Sequence, residues 1–329
     1  MCMIMFPEVK MNTDHTRIKE NLYRSLYEGL GESVVSALDS GLVEELMLNP
    51  DGRFFVKYTD GTIVQDENFT KARAEIVVRT IASLNDREID EEAPMLECEL
   101  ERFSARFSAL MPPLSRGTSF TLRVLKALNL SFDELLLSGF IKDSQARAIN
   151  SLIEKRKNFL ICGQTGCGKT SFINSILNRI TKLDPACRII CIEDTPELKL
   201  SADNCVNLFT CTKTSMSDLV RASLRFSPDR IVVGEIRSIE ALDMIDAFST
   251  GHKGGVASIH AGSALQCLDR LKLLISRHPY APAKGIDELI ALSLDAVIVL
   301  GKRPYRHVES IVLVKGYSNN AYVLEEIGI

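Results

Sequence analysis

Gly163-Gln164-Thr165-Gly166-Cys167-Gly168-Lys169-Thr170 follows the apolar run Asn158-Phe159-Leu160-Ile161-Cys162 and precedes Ser171-Phe172-Ile173-Asn174-Ser175-Ile176-Leu177. The first run reads as a buried strand, and the last segment has the apolar spacing of a helix. Between them stands the spacing G-x-x-x-x-G-K-[ST]. Glycines at these positions let backbone N–H groups turn inward, where a side chain or a negative φ would block them. Such a loop, set at the positive end of a helix, is a cradle for phosphate. Lys169 is placed to reach the β- and γ-phosphates of a nucleoside triphosphate, and Thr170 to offer its hydroxyl to Mg²⁺. Gly163, Gln164, Thr165, Gly166, Cys167, Gly168, Lys169, Thr170 and Ser171 are therefore expected to bind ATP, with Mg²⁺ as the accompanying ion.

The remainder of the chain bounds what that loop serves. Its 329 residues suggest about two domains, and a net charge of −4 supplies no bulk field for nucleic acid. Sequence-specific contact with nucleic acid is not expected. The nine cysteines are scattered, with no C-x-x-C pair and no zinc spacing, and read as reduced thiols used as small hydrophobes. Cys167 fits the phosphate loop chiefly because it is small. Met1-Cys2-Met3-Ile4-Met5-Phe6-Pro7 lacks the basic flank and length of a secretion signal, and no run approaches a bilayer span.

Apolar residues Ile18, Leu22, Leu26, Leu30, Val34 and Val35 recur at helical spacing and predict one helix over 16–38. Short apolar runs at 45–48 and 53–58 alternate with the turns Asn49-Pro50-Asp51-Gly52 and Thr59-Asp60-Gly61-Thr62, which reads as a meander of strands. A helix over 69–84 and strands within 97–110 and 119–124 complete an α+β N-terminal domain, assigned to 1–137. The segment Asn129 to Phe140 carries a helix N-cap and a Gly stop, and the junction is placed there. Over 138–329, strands at 159–162, 188–192, 206–209, 230–233 and 255–259 alternate with helices from Lys169, Ser215, Ser238 and Ser263. That order predicts an α/β domain with a mostly parallel sheet covered on both faces. Segments 296–300, 308–314 and 321–326 read as a closing antiparallel hairpin.

Chemistry beyond binding needs groups near the γ-phosphate. The strand Arg230-Ile231-Val232-Val233-Gly234 ends in Glu235, a position where a carboxylate can hold metal or water; its neighbour Arg237 would equally allow an ion pair. The strand Arg188 to Ile192 ends in Glu193-Asp194-Thr195-Pro196-Glu197. Glu193 is expected to point into the site, with Pro196 turning the rest away. Thr170, Glu193 and Glu235 are the candidate magnesium residues, and spacing does not decide which carboxylate is the base. His260, at a further strand end after Gly254-Gly255, is a candidate γ-phosphate sensor. Arg221, Arg225 and Arg230, which flank the Glu235 strand, and on the N-terminal side Arg102, Arg106, Arg116 and Arg123, are candidates to neutralise transition-state charge. Arg221 and Arg225 are assigned to catalysis, and Arg106 and Arg123 to nucleotide binding.

Four blocks, Gly163–Ser171, Arg188–Leu198, Pro228–Arg237 and Thr250–Ala261, together resemble the Walker A, Asp, Walker B and His boxes of the secretion-superfamily, or traffic, ATPases. The stretches 46–53, 87–90 and 106–113 resemble the conjugal-transfer TrbB branch of that family, and Gly316-Tyr317 with its closing strand also fits. The resemblance implies a RecA-like ATPase domain, with ATP held between it and the N-terminal domain. It further implies a homohexamer, peripheral at the cytoplasmic face of the bacterial inner membrane, working with channel proteins and a coupling ATPase of type IV secretion or conjugation. Ser258 stands where the family often has threonine, and no tetracysteine insertion of the type II branch is present. The alternatives are a pilus or type II secretion ATPase, which shares every catalytic block, and a nucleotide-gated scaffold with little turnover. A nucleic-acid helicase lacks support from any basic stretch interleaved with aromatics.

Overall fold

The computed structural model describes residues 13–67, 69–124, 130–211, 213–303 and 305–328, the side chains of 13–16 and 101 excepted. The Met1–Pro7 segment, with Cys2, and the Asn129 start of the linker reading lie outside them. The chain divides into two compact units, Met1–Lys126 and Ala127–Ile329.

In the first unit, helices α1 (Thr13–Leu30) and α2 (Glu32–Asp39) precede strands β1 (Val43–Leu48), β2 (Phe54–Tyr58) and β3 (Ile63–Asp66). Helix α3 (Lys71–Leu84) then leads to β4 (Met95–Leu100), β5 (Ala105–Leu110) and β6 (Ser119–Val124). The single helix expected over 16–38 is two helices, because Gly31 sits at φ +90° and interrupts the ladder. Between β4 and β5 the chain turns on Ser104 at φ +46°, a left-handed residue with no glycine to announce it. The six strands form one antiparallel sheet in the order β3-β2-β1-β6-β5-β4. Leu46, Leu122, Phe107 and Val56 pack with Leu26, Leu30, Val77 and Ile81 of the helices into one core. Register sets Lys57, Glu45, Arg123, Arg106 and Glu99 side by side across five strands. Strand alternation puts this charged row on the face opposite Leu46 and Leu122.

The second unit opens with α4 (Phe132–Leu137) and α5 (Asp143–Glu154), then β7 (Phe159–Gly163) and α6 (Lys169–Leu183). Strands β8 (Ile189–Glu193) and β9 (Cys205–Phe209), helix α7 (Met216–Ser223), strand β10 (Arg230–Ile236) and helix α8 (Glu240–Ser249) follow. The chain continues through β11 (Val256–Ile259), α9 (Ala264–Ser276), α10 (Ile286–Ser293), β12 (Ala296–Gly301), β13 (His307–Ser318) and β14 (Ala321–Ile327). The eight strands lie in the order β14-β13-β12-β7-β11-β10-β8-β9. From β12 to β9 every neighbour pair is parallel. The segment 296–300 is thus not part of a simple hairpin: β12 pairs parallel with β7 on one side and antiparallel with β13 on the other.

Alternate strand residues feed two cores. Leu160, Ile190, Val233 and Ala257 pack under α7 to α10, whereas Phe159, Ile161, Cys191 and Val232 pack under α4 to α6. Helix α4 therefore belongs to the second unit, since Phe132 and Leu135 are buried with Phe172 and Ile176 of α6. The chain divides at 126/127 rather than after 137, because the capped helix read as a linker contributes to this core.

Candidate functional site

All parallel strands present their C-terminal ends to one edge of the sheet, and the residues that follow β7, β8, β10 and β11 meet there. The loop after β7 is shaped by glycine. Gly166 and Gly168 have φ of +77° and +98°, a region closed to most side chains. A Cβ at Gly163 would lie 2.8 Å from the Leu300 carbonyl oxygen, so this position must also stay bare. Thr165 and Gly166 form the turn that follows Gln164, Cys167 donates its N–H to the Gln164 carbonyl at 3.2 Å, and Ser171 lies in the first turn of α6. The Cys167 thiol is buried, and burial pushes its pKa up.

The Lys169 ammonium folds back into the loop mouth and donates to the Gly163 carbonyl at 3.0 Å. Burial depresses its pKa below the usual 10.5, so the charge sits where an anion would be welcome. It lies 3.3 Å from His260 Nδ1. Burial and the neighbouring Lys169 charge lower the His260 pKa below 6.5, leaving a neutral ring at pH 7. With Nδ1 accepting from Lys169, the ring proton belongs on Nε2, which stands 2.7 Å from Glu235 Oε1. Among the described residues Oε1 is buried and no hydrogen bond reaches it. Glu235 Oε2 instead accepts from Arg237 Nε at 2.8 Å and from a terminal guanidinium nitrogen. Arg237 also stands 3.6 Å from Asp194. With the arginine half exposed, such a pair contributes under about 1 kcal/mol to stability, so its consequence is orientation of the carboxylate. Ser258 ties β11 to β10 by donating to the Gly234 carbonyl at 2.6 Å.

Glu193 behaves differently from its sequence expectation. Its Oε1 accepts the backbone N–H groups of Glu197 and Leu198, at 3.0 and 2.9 Å, and the side chain is buried against Gly234. These bonds fold the acidic segment back, so Pro196 does not turn it away. Glu197 returns to the phosphate loop and accepts from the Thr170 hydroxyl at 3.0 Å. Asn174 secures the return, donating to the Glu197 carbonyl and accepting from Lys199 N–H. Sequence reasoning missed Glu197. The available signal was Asn174, a polar residue on the apolar face of the helix after the loop.

The expected magnesium residues thus separate: Thr170 meets Glu197, Glu193 holds backbone, and Glu235 faces His260 and Arg237. Among the described residues no group of three or more His, Cys, Asp or Glu side chains is gathered for a metal. Mg²⁺ keeps water and takes phosphate oxygens with only one or two protein ligands. The Thr170 hydroxyl and Glu197 carboxylate could supply them.

The structure does not bring Arg221 and Arg225 to this edge. Arg221 pairs with Asp218 and Asp243 on the helical face, at 2.7 and 3.1 Å. Arg225 lies in the 3-10 turn Leu224–Phe226 before the N-terminal end of β10, at the opposite edge of the parallel strands. Arg106 and Arg123 are register partners on β5 and β6 of the first unit.

The profile of the type II/IV secretion system protein family matches residues 56–303. The chain is 36% identical over 310 residues to a conjugal transfer protein TrbB of Rhizobium radiobacter, covering 94% of this chain and 95% of the relative. It is 30% identical to the type IV secretion system protein PtlH of Bordetella pertussis, covering 79% of this chain and 86% of the relative. Among solved structures, the pilus retraction motor PilT with bound ADP aligns at TM-score 0.60 and 19% identity, over 89% of this chain and 80% of that one. The Legionella pneumophila ATPase DotB aligns at TM-score 0.56 and 17% identity, over 93% and 81%. At such identities these two structures speak to the fold alone.

Proposed function

The chain belongs to the type II/IV secretion system protein family, and from that premise we propose that it is an ATP-hydrolysing motor of type IV secretion or conjugal transfer. In this reading the second unit is a RecA-like P-loop ATPase domain and the first an α+β partner whose motion is coupled to hydrolysis. The observation that carries the reading is the desolvated Lys169 ammonium in the loop mouth, in contact with His260, whose ring also faces Glu235.

Each residue then has a task. The loop N–H groups and Lys169 hold the phosphates, and an anion there relieves the cost of burying the lysine charge. Glu235 Oε1, short of an aligned donor, orients the attacking water and accepts its proton. His260 couples that carboxylate to Lys169 and so senses whether phosphate is present. Glu193 positions the Glu197 segment, and Glu197 with Thr170 receives Mg²⁺. Bound there, Mg²⁺ would neutralise charge on the phosphate oxygens. Arg106 and Arg123 are proposed to add positive charge to the bound phosphates, in the same or another copy of the chain. A homohexameric ring, peripheral to the inner membrane and engaged with channel proteins and a coupling ATPase, is the assembly we infer from family membership. Among the described residues no helix is long and apolar enough to cross a membrane.

Steady-state phosphate release by the full chain tests this. Lys169→Ala is expected to lower turnover by at least about 10²-fold without changing the melting temperature. Equal turnover in that variant sinks the assignment, and no turnover by the wild type, alone or with its channel partners, leaves a nucleotide-gated scaffold instead.

A further inference from the structure

Helix α6 carries Phe172, Ile173, Ile176 and Leu177 into the core, and among them Asn174 is fully buried as well. A buried amide left without partners is costly, so a helix keeps one in its core only where both of its halves are satisfied. Asn174 commits both halves to one short stretch of backbone. Its Nδ2 donates to the Glu197 carbonyl at 3.4 Å, and its Oδ1 accepts the Lys199 N–H at 2.8 Å.

Thr170 stands four residues earlier on α6, one turn nearer the phosphate loop, and side chains at i and i+4 share a face. Its hydroxyl donates to the Glu197 carboxylate at 3.0 Å. One face of α6 thus holds residue 197 twice, by its side chain at Thr170 and by its backbone at Asn174. The two holds differ in kind. Thr170 and the Glu197 carboxylate are the groups proposed to receive Mg²⁺, whereas Asn174 binds only the backbone from which that carboxylate projects. Glu193 grips the same stretch from β8, through the Glu197 and Leu198 N–H groups at 3.0 and 2.9 Å. That second grip fixes the segment to the sheet, and it leaves the distance to Thr170 dependent on how α6 lies against β8. Asn174 removes the dependence, because it and Thr170 ride on one rigid helical turn, about 6 Å apart along the axis.

We propose that Asn174 is the positioning residue of the Mg²⁺ pair: it registers the 197–199 segment against α6, so that the Glu197 carboxylate meets Thr170 whatever the movement of the helix relative to the sheet. This rests on the assignment of Thr170 and Glu197 to the ion made above. Mn²⁺ takes the same oxygen ligands as Mg²⁺ and can be followed directly. The test is titration of Mn²⁺ into the full chain carrying one equivalent of ADP, with the free ion read by its paramagnetic resonance signal. Asn174→Leu removes both amide bonds at similar volume, and Asn174→Ala removes them without steric demand, so Asn174→Ala decides if Asn174→Leu does not fold. Each is expected to weaken Mn²⁺ at least about tenfold, the usual effect of losing an outer partner of a metal ligand, with metal-free ADP affinity within about twofold of the wild type. An asparagine that served only the core would lower the melting temperature and leave Mn²⁺ affinity alone, and that result overturns the inference. Since Asn174 acts through Glu197, Asn174→Ala in the Glu197→Ala background is expected to cost no more than about twofold further; a full tenfold loss there overturns it too. Wild-type Mn²⁺ affinity in Glu197→Ala brings down the assignment of Glu197 to the ion, and this inference with it. Weakened Mn²⁺ in Glu197→Ala beside wild-type affinity in the Asn174 variants brings down this inference alone.

Discussion

His260 is the residue through which the proposed function would tie binding to chemistry. Its ring is held neutral by burial and by the Lys169 charge, and only the neutral ring can accept from Lys169 while keeping a proton on the Glu235 side. The folded chain therefore binds fewer protons here than the unfolded one. Its stability contribution is present above pH 6.5 and is lost as the pH falls through the lowered value. Turnover should fall over the same range. A pH–rate profile of the wild type is expected to show an acid limb that His260→Asn removes, at a cost of about 10²-fold in kcat at neutral pH. An acid limb unchanged in the variant would assign that titration elsewhere. Glu235 and His260 were legible because each ends an apolar strand. Arg237 as the clamp on Glu235 was open in the sequence, because two residues apart along a strand end is also the spacing of a surface ion pair.

At the scale of elements, the segment after β8 carries the main correction. A strand ending in carboxylates and a proline predicts one inward residue, yet the fold uses Glu193 to hold the segment and Glu197 to meet Thr170. The difference lies in two backbone N–H bonds that no composition or periodicity encodes. Glu197→Ala is expected to lower turnover about tenfold and to raise the Mg²⁺ concentration needed for half-maximal rate, with ADP affinity in the absence of Mg²⁺ unchanged. A Mg²⁺ dependence identical to the wild type would count against a role at the ion. Helix α4 repeats the lesson: its Ser131–Glu134 capping box was readable, but its membership of the second core depends on Phe132 and Leu135 meeting α6. Strand β12 does so too, since an apolar pentapeptide does not say whether its neighbour runs parallel or antiparallel.

For the whole molecule, the first unit enters the proposed function through the charged face of its sheet. Arg123 and Arg106 are flanked in register by Glu45 and Glu99, so their charges are partly balanced while the buried core lies on the other face. Removing Arg123 should therefore leave folding intact, because an exposed cross-strand charge contributes at most about 1 kcal/mol. Arg123→Ala is expected to lower kcat at least tenfold, on the scale of an arginine supplied to a phosphoryl transition state, with little change in melting temperature. Wild-type kcat in Arg123→Ala and Arg106→Ala would confine nucleotide chemistry to the second unit.

The sequence by itself determined the phosphate loop, the α/β alternation around it and the strand-end placement of Glu235 and His260. Those features are local: glycine at forced backbone angles, apolar period, and the residue that follows an apolar run. Tertiary structure decided what sequence spacing leaves free. It turned Glu193 inward to bind backbone, brought Glu197 to Thr170, sent Arg225 to the far edge of the sheet and set β12 beside β7. Each of these depends on which strands are neighbours and on which buried polar atoms must find partners, and both are properties of the packed chain.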